Sequence, residues 1–260
     1  MNMEIRLQTS KSVEENAEIY FERAKKLKKK VPGIKKTIEM YKDRLEKAES
    51  DAMAVKKKLA EPKQKKEWFE RFRWFISSDD FLVIGGRDAT TNDMIIKKYT
   101  DKDDIVFHTD EPGSPFVVVK NVDGKKIPEK TITESAELCA SFSRQWRAER
   151  SVAEVYWVNP DQVSKEAKSG ESIAKGAFMI YGKRNYITAK LNLAVCNIGR
   201  IMTGPVLAVK RQCEDKGLRY IEVVQGDDKL SDVAKKIHRA IDGDLDEIIR
   251  NLPQGCSIKK

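Results

Sequence analysis

The sequence predicts an α+β protein: a long N-terminal coiled-coil helix, a mixed α/β middle domain and a small C-terminal α/β appendage. Three observations predict it. Apolar or small residues recur at alternating spacings of four and three from Val13 to Leu59. Between Trp68 and Asn121 the chain changes to short aromatic and β-branched runs, broken by Gly, Pro and Asp pairs. From about Leu191, strand-like and helix-like apolar runs alternate. The expected divisions are an arm and linker over 1–66, a middle domain over 67–188 and a C-terminal extension over 189–260.

The arm carries its seam on Val13, Ala17, Tyr20, Ala24, Leu27 and Val31, then Ile34, Ile38, Tyr41, Leu45, Ala48, Ala52, Val55 and Leu59. That is an a/d pattern, and it calls for a partner helix because a seam of this length is not stable bare in water. Ser12 with Glu15 makes a capping box at the start. Pro32-Gly33 allows a hairpin, but the heptad phase runs through it, which favours one kinked helix roughly 70 Å long at about 1.5 Å per residue. Lys28–Lys30 and Lys56–Lys58 read as solvated flanks, with phosphate contact as a second use. Glu61 to Lys66, with Pro62, reads as a basic linker.

In the middle region Arg73–Ser77 and Phe81–Ile84 form an expected hairpin across Ser78-Asp79-Asp80. Asp88 caps a helix to Tyr99. Ile105–His108 and Phe116–Lys120 are strands separated by Pro112-Gly113-Ser114-Pro115. Thr131 with Glu134 opens a helix to about Arg147, and Val152–Val158 and Ala177–Tyr181 complete the strands. Arg71 and Arg73 alternate with apolar neighbours, giving a face for charge, and Gly85-Gly86 permits close approach of backbone. The extension reads strand, helix, strand, helix, with a last helix over Leu245–Leu252 stopped by Pro253.

Composition narrows the function. The 260 residues hold 50 Lys+Arg against 41 Asp+Glu, a net charge of +9, which favours an anionic partner such as nucleic acid. A solvated Lys/Glu-rich surface accounts for part of that charge. Cys139, Cys196, Cys213 and Cys256 lack disulfide or CxxC spacing, and Cys256 reads as an exposed thiol. His108 and His238 stand apart without a ligand cluster, so no metal site and no cofactor are expected. No run reaches the roughly 20 apolar residues that span a bilayer, so a cytoplasmic protein with no membrane partner is expected.

Two competing readings attach to single residues. Arg87, after Gly85-Gly86, either meets a phosphate or pairs internally with Asp88 or Asp104. His108, with Asp110 and Ser114 nearby, suggests a triad, but no nucleophile elbow is present; a structural histidine or a hydrogen-bond donor to RNA are the remaining roles. Trp74, Phe75, Phe107, Trp146 and Trp157 read as core.

The motifs Trp74-Phe75-Ile76-Ser77-Ser78-Asp79, Leu82 to Asp88, Asn92-Asp93, Asp103 to His108, Gly113-Ser114 and Val118 to Asn121 occur in order. Gln162 to Lys165, Gly170-Glu171 and Gly176 to Asn185 continue them. Together they resemble the R domain of the NFACT family, the ribosome-associated quality-control factors called RqcH in bacteria and NEMF in animals. The helix of residues 12–30 is similar to the returning helix of that family's coiled coil, and the C-terminal part to an extension of archaeal members. An archaeal source is expected. The family's N-terminal module and outgoing coiled-coil helix have no counterpart in these residues.

The resemblance implies a non-enzymatic RNA-binding protein acting on rRNA or tRNA at the large ribosomal subunit. It makes Arg87, Lys97, Lys98, His108, Lys120, Lys165, Lys183 and Arg184 the candidate RNA contacts. The arm would pair with another copy or with a separate N-terminal NFACT chain. The alternative is a coiled-coil interaction adaptor that does not bind RNA. DNA binding is a variant of the first reading, and a hydrolase or nuclease ranks last because Asp79-Asp80 and Asp103-Asp104 are thin support for converging carboxylates.

Overall fold

The structure, a computed structural model, describes residues 4–60, 65–166, 174–214 and 216–259, and the backbone alone for 49–60. The side chains of Ala52, Val55, Lys56–Lys58 and Leu59, and the residues Pro62, Gly170 and Glu171, therefore lie outside the described set. The chain divides into two compact units, Met1–Lys65 and Lys66–Lys260.

In the first unit, α1 (Val13–Ala60) is one helix of 48 residues, with Pro32 inside it. The hairpin alternative at Pro32-Gly33 is not adopted. The Ser12–Glu15 box is present: Ser12 N–H donates to Glu15 Oε2 at 2.7 Å, and Glu15 N–H to Ser12 Oγ at 3.2 Å. The segment before the helix folds back along its first turns. Asn16 holds Gln8 from both sides, at 2.8 and 3.0 Å, and Tyr20 Oη donates to the Arg6 carbonyl. The seam side chains Val13, Tyr20, Leu27, Val31, Ile34, Ile38, Tyr41 and Leu45 are all exposed in the single chain.

The second unit is built on a six-stranded antiparallel sheet, ordered β1-β2-β4-β3-β5-β8. Its strands are β1 (Arg73–Ile76), β2 (Leu82–Gly85), β3 (Ile105–His108), β4 (Val117–Val119), β5 (Val152–Val158) and β8 (Asn185–Lys190). The continuous apolar runs of β3 and β4 suit central strands covered on both faces, and Val106, Phe107 and Val117–Val119 are fully buried. A separate two-stranded ribbon joins β6 (Val163–Ser164) to β7 (Met179–Ile180). The strand expected over Ala177–Tyr181 is thus a two-residue ribbon outside the main sheet. One edge strand is β8, which pairs with β5 from Val152↔Lys190 to Trp157↔Asn185; its alternating pattern is half exposed, which hides it from an apolar scan.

Between the strands, α2 (Ala89–Lys98) begins at Asp88, whose carboxylate accepts the Thr91 N–H at 2.8 Å. The helix expected from Thr131 to Arg147 is instead two, α3 (Glu129–Ser141) and α4 (Arg144–Arg147). Thr131 does not cap. Its hydroxyl bonds Ser77 Oγ at 2.9 Å and Asp79 Oδ2 at 2.8 Å, and Glu134 reaches across to the Ser78 N–H at 2.8 Å. Ser143 breaks the helix by capping the second piece through the Gln145 N–H. Small residues Ser135, Ala136, Cys139 and Ala140 let α3 lie close on β3, β4, β5 and β8.

The C-terminal part forms a four-stranded sheet, β10-β9-β11-β12, from β9 (Leu193–Asn197), β10 (Ile201–Gly204), β11 (Tyr220–Gln225) and β12 (Cys256–Ile258). Around it are α5 (Val206–Glu214), α6 (Leu230–Ile241) and α7 (Leu245–Arg250). β10 and β12 are additional to the expected order. Cys256, expected as an exposed thiol, is fully buried in β12, and burial pushes its thiol up to about 11. This sheet packs tightly on the middle one: a Cβ on Gly204 would stand 2.7 Å from the Phe75 side chain. Trp146 Nε1 donates to the Gly255 carbonyl at 2.8 Å, and Arg200 Nε to Glu70 Oε1 at 2.7 Å. Trp74, Phe75, Phe107 and Trp146 lie in the core as expected, with Trp157 partly buried against it.

Lys120 belongs to this packing. Its ammonium donates to the Tyr99 carbonyl at 2.9 Å, to Asp101 at 2.8 Å and to the buried Asp104. Asp104 in turn accepts the Asn121 N–H at 2.8 Å. Removing one member of such a pair strands the other charge. Lys120→Met should therefore cost about 3 to 5 kcal/mol in chemical denaturation; a loss near zero would show that the pair is dispensable to the fold.

Candidate nucleic-acid interface

The N-terminus of α2, the ends of β3 and β5, and the loop before β8 enclose a cleft of ≈ 560 Å³. Its cations are Arg73, Arg87, Lys175 and Arg184; its acids are Asp88 and Asp110. Local sequence makes each wall. The loop closes on α2 because Gly176, at φ +78°, has no side chain where a Cβ would lie 2.5 Å from Ala89 Cα. Asp93 fastens it, accepting the Gly176 N–H at 2.9 Å and the ammonium groups of Lys97 and Lys165 at 2.9 and 3.2 Å. Burial pushes the Asp93 carboxyl up, but these three bonds outweigh it and hold it at about 2.

Ring faces around the cleft are occupied by cations. The Arg73 guanidinium lies 4.2 Å from the Phe142 centroid, Arg184 4.7 Å from Tyr156, and Lys165 4.7 Å from Phe178. The rings thus orient positive charge and leave little face for a base to stack on. Gly86 also differs from its expected use. The group that approaches it closely is the Asn92 amide, 1.7 Å from the site of a Cβ, whose oxygen accepts the Phe116 N–H at 3.2 Å.

Arg87 does not make the expected internal pair with Asp88 or Asp104. Its Nη2 donates to the carbonyls of Glu70 (3.2 Å) and Phe72 (2.9 Å) and to Asn251 Oδ1 (3.2 Å), tying the C-terminal part to the start of β1. Arg87 forms no ion pair among the described residues, and its Nε is buried without a partner. Arg73 is alike: Nη1 donates to the Gly86 carbonyl and Nε is buried and unpartnered. Burial first, and the neighbouring Arg87 second, pull Arg73 down to about 10, so it stays charged at neutral pH.

Of the other candidates, His108 and Arg184 also line the cleft. His108 does not offer a proton to RNA, because its Nδ1 lies 2.6 Å from the Thr109 carbonyl and that contact requires the proton there. Burial lowers its pKa against the Thr109 and Ser114 carbonyls, so the ring tends to neutrality. Ser114 Oγ accepts the Thr109 N–H at 3.2 Å, which makes it a turn residue. Arg184 is paired with Asp110, which also accepts from Tyr186 Oη at 3.0 Å.

Lys120 drops out as an RNA contact, since three acceptors take its three protons. Lys165 drops out for the same reason, with Asp93, the Ala174 carbonyl and the Ala177 carbonyl as acceptors. Lys97 is exposed but paired with Asp93. Lys98 is exposed at the far end of α2, about 14 Å from Ala89 at 1.5 Å per residue. Lys183 is exposed in the turn beside Arg184, which Gln162 Nε2 pins through the carbonyls of Tyr181 (2.8 Å) and Lys183 (2.9 Å). Sequence reasoning does not reach Arg73 or Lys175 as site residues. For Arg73 the signal is its place on a strand whose next three residues are apolar; for Lys175 there is none beyond its position before Gly176.

Among the described residues no group of histidine, cysteine or carboxylate side chains could hold a metal ion, and no helix is long and apolar enough to cross a membrane.

The family described as NFACT protein RNA binding domain matches residues 71–182. The protein named Archaeal Rqc2 homolog aRqcH, of Methanocaldococcus jannaschii, is 38% identical over 222 residues, covering 82% of this chain and 32% of that one. The Ribosome quality control complex subunit NEMF homolog of Drosophila melanogaster is 48% identical over 120 residues, 46% of this chain and 12% of that one. The corresponding NEMF subunit of Homo sapiens is 44% identical over 124 residues, 48% of this chain and 11% of that one. The chain spans about a third or less of the length of these curated relatives. With the hairpin, the capped α2 and the Gly176 loop all inside the matched region, the chain belongs to the NFACT family.

Proposed function

We propose that the chain binds RNA, rRNA or tRNA at the large ribosomal subunit, in ribosome-associated quality control, and catalyses no reaction. The observation that carries the reading is the cleft where Arg73, Arg87, Lys175 and Arg184 converge, with Lys183 beside it. Rings hold three nearby cations in place, and the polar contacts on offer are donors suited to phosphate oxygens. The RNA binding domain named for residues 71–182, and relatives named as ribosome quality control subunits, support the same partner. Binding of this kind reads backbone rather than base sequence.

The second element is the arm. Its exposed seam takes one helix of matching heptad phase, from another copy or from a separate chain carrying the family's N-terminal part. The competing reading, an adaptor that uses only this seam, draws on the same exposed residues. Binding assays separate the two.

Lys175 and Lys183 are exposed, with no ion pair among the described residues, so their charges can be reversed without breaking the fold. In filter binding to single-stranded RNA, Lys175→Glu with Lys183→Glu should make the log–log salt slope shallower by at least about 1.4, from about 0.7 per phosphate contact. An unchanged slope and affinity would remove this face; equal competition by DNA would remove the preference for RNA. For the arm, sedimentation of the intact chain should show a dimer that Ile34→Asp with Ile38→Asp converts to a monomer. A wild-type monomer at micromolar concentration would exclude self-pairing and leave only a foreign helix.

A further inference from the structure

On the other side of Arg73 and Arg87 lies a second cleft, also of ≈ 560 Å³, between α4 and the stretch that follows α7. Among the described residues its walls hold four arginines, Arg73, Arg87, Arg144 and Arg147, and no carboxylate. The apolar side is Leu252 and Pro253. The nearest acids bond other groups, although Glu247 and Asp88 still act on Arg87 through space. Glu247 takes Lys66 and, at 3.7 Å, Arg250; Glu111 takes Gln145; Asp88 caps α2. Arg147 bonds Gln254, a neutral amide, and Arg144 lies along Gly113, its Nε 2.7 Å from where a Cβ would be.

Four like charges around one hollow repel, and the two inner ones also keep a buried Nε with no acceptor. Both deficits have one remedy, an anion with several oxygens. A guanidinium fork matches a phosphate in geometry and pairs with it bidentately. We propose that this second cleft is a phosphate-binding site that holds the backbone or the terminal phosphate of a single RNA strand. It rests on the RNA reading above for the source of the phosphate, but its own evidence is the carboxylate-free arginine lining. The two clefts share Arg73, Arg87, Gly113 and Phe142. A strand lying in the first is therefore led past the inner arginines to the second.

Arg144 and Arg147 are exposed, so Arg144→Gln with Arg147→Gln tests the site without touching the buried pair. Pyrophosphate should raise the thermal midpoint of the intact wild-type protein above that in chloride of equal ionic strength, and the double variant should lose this rise. Single-stranded RNA should bind the variant about 25-fold more weakly at 0.1 M salt, from two lost phosphate contacts. Preference of the wild type for 5′-phosphorylated over 5′-hydroxyl RNA, absent in the variant, identifies a strand end; equal loss for both identifies an internal phosphodiester. If RNA does not bind but the pyrophosphate effect is present and variant-sensitive, the anion site stands and the RNA reading falls. If RNA binds wild type and variant alike and pyrophosphate stabilises neither, the site falls and the RNA reading stands. Equal stabilisation by oligo-glutamate would also overturn it, because charge alone would then suffice.

Discussion

The guanidinium of Arg87 is the constraint on which the second unit turns. Its Nη2 gathers two carbonyls from the chain entering β1 and the side chain of Asn251 from the end of α7. Asn251 is itself buried and oriented by the Glu247 carbonyl at 2.9 Å. Thus a cation joins the start of the family domain to the end of the last helix, alongside the buried Ile248 and Leu252. The rest of the seam combines the close packing of Gly204 on Phe75 with polar ties from Arg200 to Glu70 and from Trp146 to the Gly255 carbonyl. A cation placed there without a carboxylate in hydrogen-bond contact is costly, although Glu247 and Asp88 act on it through space.

The size of the available compensations decides how far the arginine charges are offset. A cation over a ring recovers about 0.5 to 2 kcal/mol, and hydrogen bonds to a charged donor about 1.5 to 3. Effective desolvation of an ion in a protein costs several kcal/mol. Phe142 and the Gly86 carbonyl, which serve Arg73, therefore offset only part of its burial. Arg184 is different, because Asp110 neutralises it. Asp110 thus satisfies the Arg184 end of the first cleft, and Asp88 is the acid at the Arg73–Arg87 end.

How far the sequence discloses this varies with the physics of each part. The arm is legible because a heptad repeat and a capping box are local patterns. The β1–β2 hairpin and the Asp88 cap are legible for the same reason. β8 is hidden by its half-exposed alternation, and β12 by its three-residue length. The start of α3 escapes because Thr131 and Glu134 carry a cap signature but bond to the distant Ser77–Asp79 turn. Cys256 misleads because nothing near the C-terminus announces the β11 partner that buries it. The site is legible as a region, from basic residues within family motifs, but not residue by residue. Lys120 and Lys165 look like surface charge in sequence, and only tertiary neighbours reveal their acceptors.

Lysine and arginine part company here for a reason rooted in their donors. An ammonium has three protons, and both Lys120 and Lys165 find three acceptors, so each becomes an internal fastener with nothing left to give. A guanidinium has five, spread over a rigid plane that no single set of main-chain carbonyls matches. Arg73 and Arg87 use some of theirs on backbone and keep an unmet Nε and a full charge. Under the proposed reading, the half-buried arginines are thus better markers of a ligand than these lysines. The exposed lysines add attraction at long range, which salt screens within about 8 to 10 Å. Arg73 and Arg87 instead sit against Phe142 and the end of α7.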